Sequence, residues 1–128
     1  MTQILIIDDE LVTLQMLSLF LEACGFEVLT AENEQAGLAI FKDQRPPIVL
    51  TDIKMPGRDG FAVLQEVKAL APQTEVIVIT GHGDKDLARQ AYDLKASYFF
   101  NKPLDTDALD QALKEIEVRL TPGGPGTG

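Results

Sequence analysis

Short apolar runs alternate along the chain with longer segments in which apolar residues recur every three or four positions. The runs cover residues 4–7, 26–30, 48–51, 76–80 and 97–100. They are too short for helices and rich in β-branched or aromatic residues, so each predicts a strand. Three of them, 4–7, 48–51 and 76–80, do not alternate with polar residues, which predicts burial on both faces, as in a parallel sheet covered by helices. The other two are weaker and are expected nearer the sheet edges.

The five intervening and following segments have the spacing of amphipathic helices. In four of them the apolar positions run from Leu14 to Leu21, from Phe61 to Val67, from Leu87 to Leu94 and from Leu109 to Leu120. The second helix is predicted to begin at Asn33 or Glu34 and to end near Lys42. Gly25 is placed to end the first helix in a left-handed conformation, and Gly37 weakens the second. Asp59 and Asp105 are placed to cap the third and fifth helices, and the fourth is predicted to begin near Asp84.

A strand followed by a helix, repeated five times, predicts right-handed crossovers and an α/β domain built on a parallel sheet. This domain is expected to occupy residues 1–120. Residues 121–128 consist largely of glycine and proline and cannot build a core, so they are predicted to be a flexible linker or a remnant of cloning.

Composition narrows the class of protein. The 128 residues fit one domain, and 45% are hydrophobic, the balance of a packed globule rather than a disordered chain. The net charge of −9 disfavours nucleic acid and anionic membranes as partners. No apolar run is long enough to span a bilayer and no signal-peptide pattern is present, so the expected location is the cytoplasm. Cys24 is the single cysteine, which excludes an internal disulfide, and it is expected to be an inert packing residue.

Polar residues gather where the predicted strands end. They are Asp8, Asp9 and Glu10 after the first strand, Asp52 after the third, Thr80 at the end of the fourth and Lys102 after the fifth. Ligands of open parallel sheets bind beyond the carboxyl ends of the strands, so these side chains are expected to form one site.

Crowded carboxylates restrict the chemistry of such a site. Two carboxylates about 4 Å apart repel by about 4 kcal/mol at an effective dielectric constant near 20, so the cluster needs a cation. Oxygen ligands favour Mg²⁺, which shares its shell with water and phosphate oxygens. An aspartate beside the metal can attack phosphorus and form an acyl phosphate, with the metal and an ammonium group neutralising the transferring charge.

These residues resemble the signature of the receiver domains of bacterial two-component response regulators. The matching motifs are Asp8-Asp9-Glu10, Asp52-Ile53-Lys54-Met55-Pro56-Gly57, Thr80-Gly81 and Lys102-Pro103. The resemblance covers residues 3–120 and rests on four motifs in the right order, each at a strand end. It implies a flavodoxin-like doubly wound (βα)5 fold with a five-stranded parallel sheet in the order 2-1-3-4-5.

The resemblance also implies the roles of the site residues. Asp52 is expected to accept a phosphoryl group from the phosphohistidine of a sensor kinase. Asp9 and Asp52 would bind Mg²⁺ directly with the backbone carbonyl of Lys54, and Asp8 would act through water. Lys102 is expected to pair with the phosphoryl group.

Switching is a further implication of the resemblance. Thr80 is expected to donate its hydroxyl to the phosphoryl group while the ring of Phe99 moves inward, which reshapes the surface of the fourth helix, fifth strand and fifth helix. Lys54 and His82, each two residues after a site residue, are expected to tune dephosphorylation. Phe99 stands where tyrosine is frequent, so no phenolic hydroxyl is present at this position. Lys95 stands where glycine is common, so the turn before the fifth strand is expected to differ.

Several residues keep a second interpretation. Phe99 can be an ordinary core aromatic, and His82 an exposed loop residue. Asp8 and Asp9 can simply begin the first helix, where acids favour the positive end of the dipole. Met16 and Leu19 lie partly off the apolar stripe of their helix and are either additional core or an apolar contact for the kinase.

Three other functions fit the sequence less well. An aspartyl-phosphate hydrolase needs a second aspartate two residues after the nucleophile as general acid, and that position holds Lys54. A nucleotide-binding flavodoxin-like domain needs glycines in a strand-to-helix turn, and residues 7–11 have none. A receiver-like domain that serves only as an interaction surface would not need the acidic residues Asp8, Asp9 and Asp52, all of which are present.

The predicted protein is therefore a signalling domain and not a conventional enzyme, although it catalyses its own phosphoryl transfer and autodephosphorylation. Its expected cofactor is Mg²⁺ and its expected donor a sensor histidine kinase or a histidine phosphotransfer protein. An output domain beyond residue 120 and a phosphorylation-dependent homodimer are left open. No direct binding of nucleic acid or membrane by this domain is expected.

Overall fold

A computed structural model describes residues 2–53, 61–81 and 85–120. In these ranges five strands and five helices alternate as the hydrophobic pattern predicts. The strands are β1 (Gln3–Ile7), β2 (Glu27–Ala31), β3 (Ile48–Asp52), β4 (Glu75–Thr80) and β5 (Tyr98–Asn101). The helices are α1 (Leu11–Ala23), α2 (Glu34–Gln44), α3 (Ala62–Leu70), α4 (Lys85–Asp93) and α5 (Thr106–Leu120). Each predicted element is confirmed, with ends that differ by a few residues.

The strands form one parallel sheet in the order β2-β1-β3-β4-β5, which confirms the order that the resemblance implies. From β1 the chain winds to one side to form β2 and then to the other side to form β3, β4 and β5. The winding direction therefore changes between β1 and β3. Crevices that bind ligands in open α/β sheets lie at this kind of switch point, beyond the carboxyl ends of the strands.

The central strands are buried on both faces, as their unbroken apolar sequences predict. On one face, α2, α3 and α4 pack against the layer that contains Leu5 and Ile7. On the other face, α1 and α5 pack against the layer that contains Ile4 and Ile6. These four side chains have no solvent exposure, so the sheet is a rigid support for the loops at its edge.

The predicted helix ends are confirmed where the structure describes them. The Asn33 side chain accepts a hydrogen bond from the N–H of Ala36 at 2.8 Å, and the Asp105 side chain accepts one from the N–H of Asp107 at 2.9 Å. Gly25 has a φ of +95°, the left-handed stop expected after α1. The predicted cap Asp59, the predicted start at Asp84 and the tail 121–128 lie outside the described residues.

Gly37 has a packing role that helix propensity alone does not reveal. It is buried where α2 crosses β1, and a β-carbon there would lie 2.7 Å from Ile7 Cγ1 and nearer still to Ile7 Cδ1. Glycine therefore weakens the isolated helix but allows α2 to approach the sheet closely.

Lys95 adopts a left-handed conformation, with φ of 76°, in the turn between α4 and β5. A lysine at this position does not change the turn away from the left-handed backbone that glycine favours. The lysine adopts that backbone and bears its strain. Arg45, which follows α2, has a φ of 50° and is the other left-handed non-glycine residue among those described.

Cys24 is exposed at the end of α1, so its prediction as a packing residue is wrong. Its Sγ lies 3.9 Å from Asp110 Oδ1. Partial burial and the nearby carboxylate raise the pKa of the thiol, which keeps it protonated and poorly nucleophilic.

Among the described residues, no helix combines the length and apolarity that a bilayer crossing requires.

Candidate functional site

Four neighbouring strands bring polar side chains to one edge of the sheet. Asp8 follows β1, Asp52 ends β3, Thr80 ends β4, and Lys102 comes directly after β5. Asp8, Asp52 and Thr80 are 0%, 3% and 1% exposed. Because these positions end parallel, paired strands, the sheet itself fixes their spacing. The predicted convergence of Asp8, Asp52 and Lys102 is confirmed by their contacts.

Lys102 is the centre of these contacts. Its Nζ lies 2.9 Å from Asp8 Oδ2, 3.0 Å from Asp52 Oδ2 and 2.6 Å from Glu10 Oε1. Burial alone would lower the pKa of Lys102, but its contacts with Glu10, Asp8 and Asp52 outweigh burial and raise the pKa well above the ordinary value. The ammonium group therefore stays charged throughout the physiological range.

One lysine faces three carboxylates, so the site retains an excess of acidic oxygen. One oxygen each of Asp8, Glu10 and Asp52 lies within 4.8 Å of the others. Asp8 Oδ1 accepts a hydrogen bond from the N–H of Glu10 at 2.9 Å, whereas the buried Oδ2 has its ionic contact with Lys102 but no hydrogen bond of good geometry. A buried carboxylate oxygen with spare capacity, among other carboxylates, fits a hard divalent cation. The acidic group can therefore hold a metal ion.

The membership of this acidic group differs from the ligand set that the resemblance implies. Glu10 joins it, although the resemblance implies no metal-binding role for this residue. Asp9 is exposed, is not a member, and has no hydrogen bond or ion pair to any described residue. Which of two consecutive side chains reaches Lys102 depends on the backbone direction after β1, which residue types alone do not reveal. The role of Asp9 as a direct metal ligand stays a prediction.

Thr80 and Phe99 lie on the paired strands β4 and β5. The backbone carbonyl of Thr80 accepts a hydrogen bond from the N–H of Lys102 at 2.8 Å, which ties the lysine loop to the end of β4. Phe99 pairs with Val78 and is half-buried at the margin of the core layer that contains Val78. This position fits both of its interpretations, as a core aromatic and as a switch residue.

Two predicted residues lie outside the described part of the chain. They are Lys54, with its carbonyl as metal ligand and its side chain as a tuning group, and His82. Pro103, which follows Lys102 in the last of the matching motifs, is described, and the Lys102–Pro103 peptide bond is cis.

An apolar groove opens next to the site, between α1 and the loop after β5. It has a volume of about 440 Å³, and its lining includes Glu10, Met16, Phe20, Lys102 and Leu104. Since Glu10 and Lys102 belong to both, groove and site are continuous. Met16, on the groove, is 66% exposed and Leu19 is 71% exposed, which rules out the alternative that they are additional core.

Fold and site together define a doubly wound α/β domain with an acidic, lysine-bridged site at the carboxyl ends of its central strands. The sequence profile described as "Response regulator receiver domain" matches residues 4–114. The chain belongs to this family. As a receiver domain, it is a phosphoacceptor signalling domain of a two-component system.

Individual proteins support the same assignment. Sporulation initiation phosphotransferase F of Bacillus subtilis is 33% identical over 113 residues, which cover 88% of this chain and 91% of that protein. The C4-dicarboxylate transport transcriptional regulatory protein DctD of Pseudomonas aeruginosa is 41% identical over 120 residues, 92% of this chain but only 26% of that protein. A response regulator receiver domain protein from Clostridium thermocellum superposes with a TM-score of 0.88 at 38% identity, covering 94% of this chain and 97% of that one. The chain thus resembles both a protein of its own length and part of a much longer regulator.

Proposed function

We propose that the chain accepts a phosphoryl group on Asp52 from a phosphohistidine of a sensor histidine kinase or a histidine phosphotransfer protein, in the presence of Mg²⁺. The contact between Asp52 Oδ2 and Lys102 Nζ, at 3.0 Å, carries this assignment. It joins a nearly buried carboxylate at the end of a central strand to an ammonium group that stays charged. A nucleophile and a group that neutralises developing charge are thereby adjacent.

In the proposed transfer, a carboxylate oxygen of Asp52 attacks phosphorus as the bond between phosphorus and the donor imidazole breaks. The imidazole nitrogen keeps the electron pair of that bond and takes up a proton, and Asp52 becomes an acyl phosphate. Lys102 first orients the Asp52 carboxylate and then pairs with an oxygen of the transferred group. Its contacts with Asp8 and Glu10 keep the ammonium at the rim of the sheet while its partner changes.

A bound Mg²⁺ would supply charge neutralisation at the phosphoryl oxygens. The residues proposed to hold it are Asp9 and Asp52 with the carbonyl of Lys54, and Asp8 through water. The acidic group around Asp8 and Asp52 supports this proposal because one ammonium does not balance its three carboxylates. Mg²⁺ accepts few protein ligands and retains water, which suits a site that offers a few carboxylates at the edge of the sheet.

Response and recovery are proposed from the same edge. The Thr80 hydroxyl would bond the phosphoryl group, and Phe99 would turn inward, so that the surface formed by α4, β5 and α5 changes shape. Lys54 and His82 would affect the approach of water to the acyl phosphate, and so the rate of autodephosphorylation. The burial of Thr80 and the half-burial of Phe99 on adjacent strands support a coupling between them.

The exposed apolar side chains of α1 support a docking site for the phosphohistidine donor. Met16 lines the groove that runs into the site, and Leu19 lies one helical turn further along α1. A donor packed against this groove would bring its histidine to the end of β3. Two further partners are proposed: an output region beyond residue 120, as in the longer regulator DctD, and a phosphorylation-dependent second copy at the surface of α4, β5 and α5.

The test is labelling with acetyl phosphate and Mg²⁺, read by intact mass. Wild type and Asp93→Asn, which removes an exposed carboxylate on α4, should each gain one phosphoryl group. Asp52→Asn should gain none, and a chelator should prevent the labelling of wild type and of Asp93→Asn. Equal labelling of Asp52→Asn and wild type would mean that another residue is the acceptor. Sustained release of phosphate from a panel of phosphomonoesters would instead indicate a conventional hydrolase.

A further inference from the structure

Tyr92 connects the end of α4 to the edge of the sheet. Its hydroxyl oxygen accepts a hydrogen bond from the backbone N–H of Phe99 at 3.2 Å. β5 is an outer strand of the sheet, so alternate backbone N–H groups along it point away from β4 and have no neighbouring strand to bond. The phenol of Tyr92 satisfies one of these groups, at the residue proposed to switch.

This bond stands out because α4 is lightly attached. Ala91 is the one fully buried residue of α4, and Leu87 only partly covers the core layer beneath it. Tyr92 itself is 48% exposed, so its ring adds little to the core. A hydroxyl that bonds the backbone of β5 is therefore a specific link between two elements that otherwise share a small apolar contact.

We propose that Tyr92 is a positioning residue for the switch: its hydroxyl holds α4 against β5 in the unphosphorylated chain, and the bond is given up when Phe99 moves. The inference rests on the proposed function, because it concerns the response to phosphorylation at Asp52. Phe99 has no hydroxyl of its own, so the phenolic oxygen beside it comes from the neighbouring helix. A bond made in one of two states biases the equilibrium toward that state.

The test compares Tyr92→Phe with Tyr98→Phe. Each exchange removes one phenolic oxygen and keeps the ring. The Tyr98 hydroxyl bonds the Glu115 side chain on α5, and so it serves as a matched control in the same region. Backbone amide NMR spectra are recorded for each protein alone and then saturated with Mg²⁺ and beryllofluoride, a mimic of the phosphoryl group.

In Tyr92→Phe, amide signals of α4 and β5 in the free protein should move toward their mimic-bound positions, and the Phe99 amide should exchange faster with solvent. The expected change in the switching equilibrium constant is about two- to tenfold, the usual worth of one net hydrogen bond. Tyr98→Phe should leave the α4 signals where wild type has them, since Tyr98 lies on β5 and its hydroxyl bonds α5. The two variants should unfold at similar temperatures, which separates a bias on the switch from a general loss of stability.

Two results would overturn the assignment: free-state signals of Tyr92→Phe that coincide with those of wild type, or signals that move away from the mimic-bound positions. The second would place the bond in the phosphorylated state. A wild type that shows no change with Mg²⁺ and beryllofluoride would contradict the proposed function itself. Failure of that function is thus distinguishable from failure of the role given to Tyr92.

Discussion

Lys102 shows how one side chain organises the site. It contacts carboxylates that follow or end two different strands, and its own position is held by the hydrogen bond from its N–H to the carbonyl of Thr80. The raised pKa of Lys102 means that its electrostatic contribution to stability is complete below the ordinary lysine pKa of 10.5. That contribution is lost only as pH rises through the still higher pKa of the folded state. Across neutral pH the lysine is therefore a permanent cation within the acidic cluster.

Lys95→Gly should stabilise the protein. The left-handed backbone of Lys95, with φ of 76°, disfavours any residue that has a β-carbon. Glycine removes that strain but adds freedom to the unfolded chain, so the expected net gain is about 0.5–1 kcal/mol in the free energy of unfolding. Urea unfolding monitored by circular dichroism measures it.

Arg45→Gly is the matched comparison for Lys95→Gly, because Arg45 is also left-handed, with φ of 50°. Its guanidinium lies 5.5 Å from the centre of the Phe41 ring, and its Nη1 donates to the carbonyl of Leu70 at 3.4 Å. The glycine there loses these contacts as it relieves strain, so its gain should be smaller. A loss of stability in Lys95→Gly would mean that the lysine side chain has a role of its own.

At the scale of elements, α2 and β1 meet at Gly37 and Ile7. Gly37→Ala should destabilise the fold by about 1–3 kcal/mol, because the new methyl group would overlap the Ile7 side chain. This loss should appear although alanine is the better helix former by about 1 kcal/mol. Adding Ile7→Val, which removes the nearest methyl group, should restore part of the stability. Ala39 is exposed on the same helix, so Ala39→Gly measures the effect of helix propensity alone and should lower stability. If packing at Gly37 were irrelevant, Gly37→Ala would raise stability by a similar amount.

A second contact between elements joins the start of β4 and the residue before β5 to the last turn of α5. Glu75 on β4 accepts hydrogen bonds from Ser97 Oγ at 2.6 Å and from Arg119 Nη2 at 3.1 Å. Burial alone would raise the pKa of Glu75, but the bonds from Arg119 and Ser97 outweigh it and keep the pKa below the ordinary 4.5. The ionised carboxylate is thus the form that the fold favours.

Glu75→Gln should therefore cost stability in a pH-dependent way. A depressed pKa contributes stability above pH 4.5 and loses it as pH falls through the lower pKa of the folded state. At pH 7 the variant should be less stable than wild type, by less than about 1 kcal/mol because Arg119 is partly exposed. The difference should narrow in acid. Glu66→Gln, which breaks the exposed pair with Lys42, is the control and should show no measurable change at either pH. A gap for Glu75→Gln that is constant with pH would assign the effect to packing.

Across the domain, the features that can be predicted from the sequence are those that depend on local pattern alone. Unbroken apolar runs specify buried strands, and capping residues such as Asn33 specify helix ends, so the element order follows from local chemistry. Features that depend on the distance or direction between elements cannot be predicted from local sequence. The packing role of Gly37 depends on the closeness of α2 to β1, which is a tertiary property. The membership of Glu10 in the acidic group depends on the turn after β1, which decides which acid reaches Lys102. The exposure of Met16 is likewise settled only by where α1 sits on the sheet.

Mg²⁺ should stabilise the whole domain, because the site holds an acidic excess in a chain of net charge −9. A ligand that binds only the folded state adds about 2.7 kcal/mol at a free concentration near 100 times Kd, a rise in Tm on the order of 10 °C. MgCl₂ should raise Tm more than NaCl of equal ionic strength, and a chelator should reverse the rise.

Variants of the acidic residues test which of them bind the ion. Asp52→Asn and Asp9→Asn should lose most of the rise in Tm with MgCl₂, whereas the exposed Asp93→Asn should keep it. Glu10→Gln should also keep most of it, because the Glu10 side chain is 61% exposed and does not belong to the proposed ligand set. A larger loss in Glu10→Gln than in Asp9→Asn would make Glu10 the ligand, and an equal rise with NaCl would leave only general screening of charge.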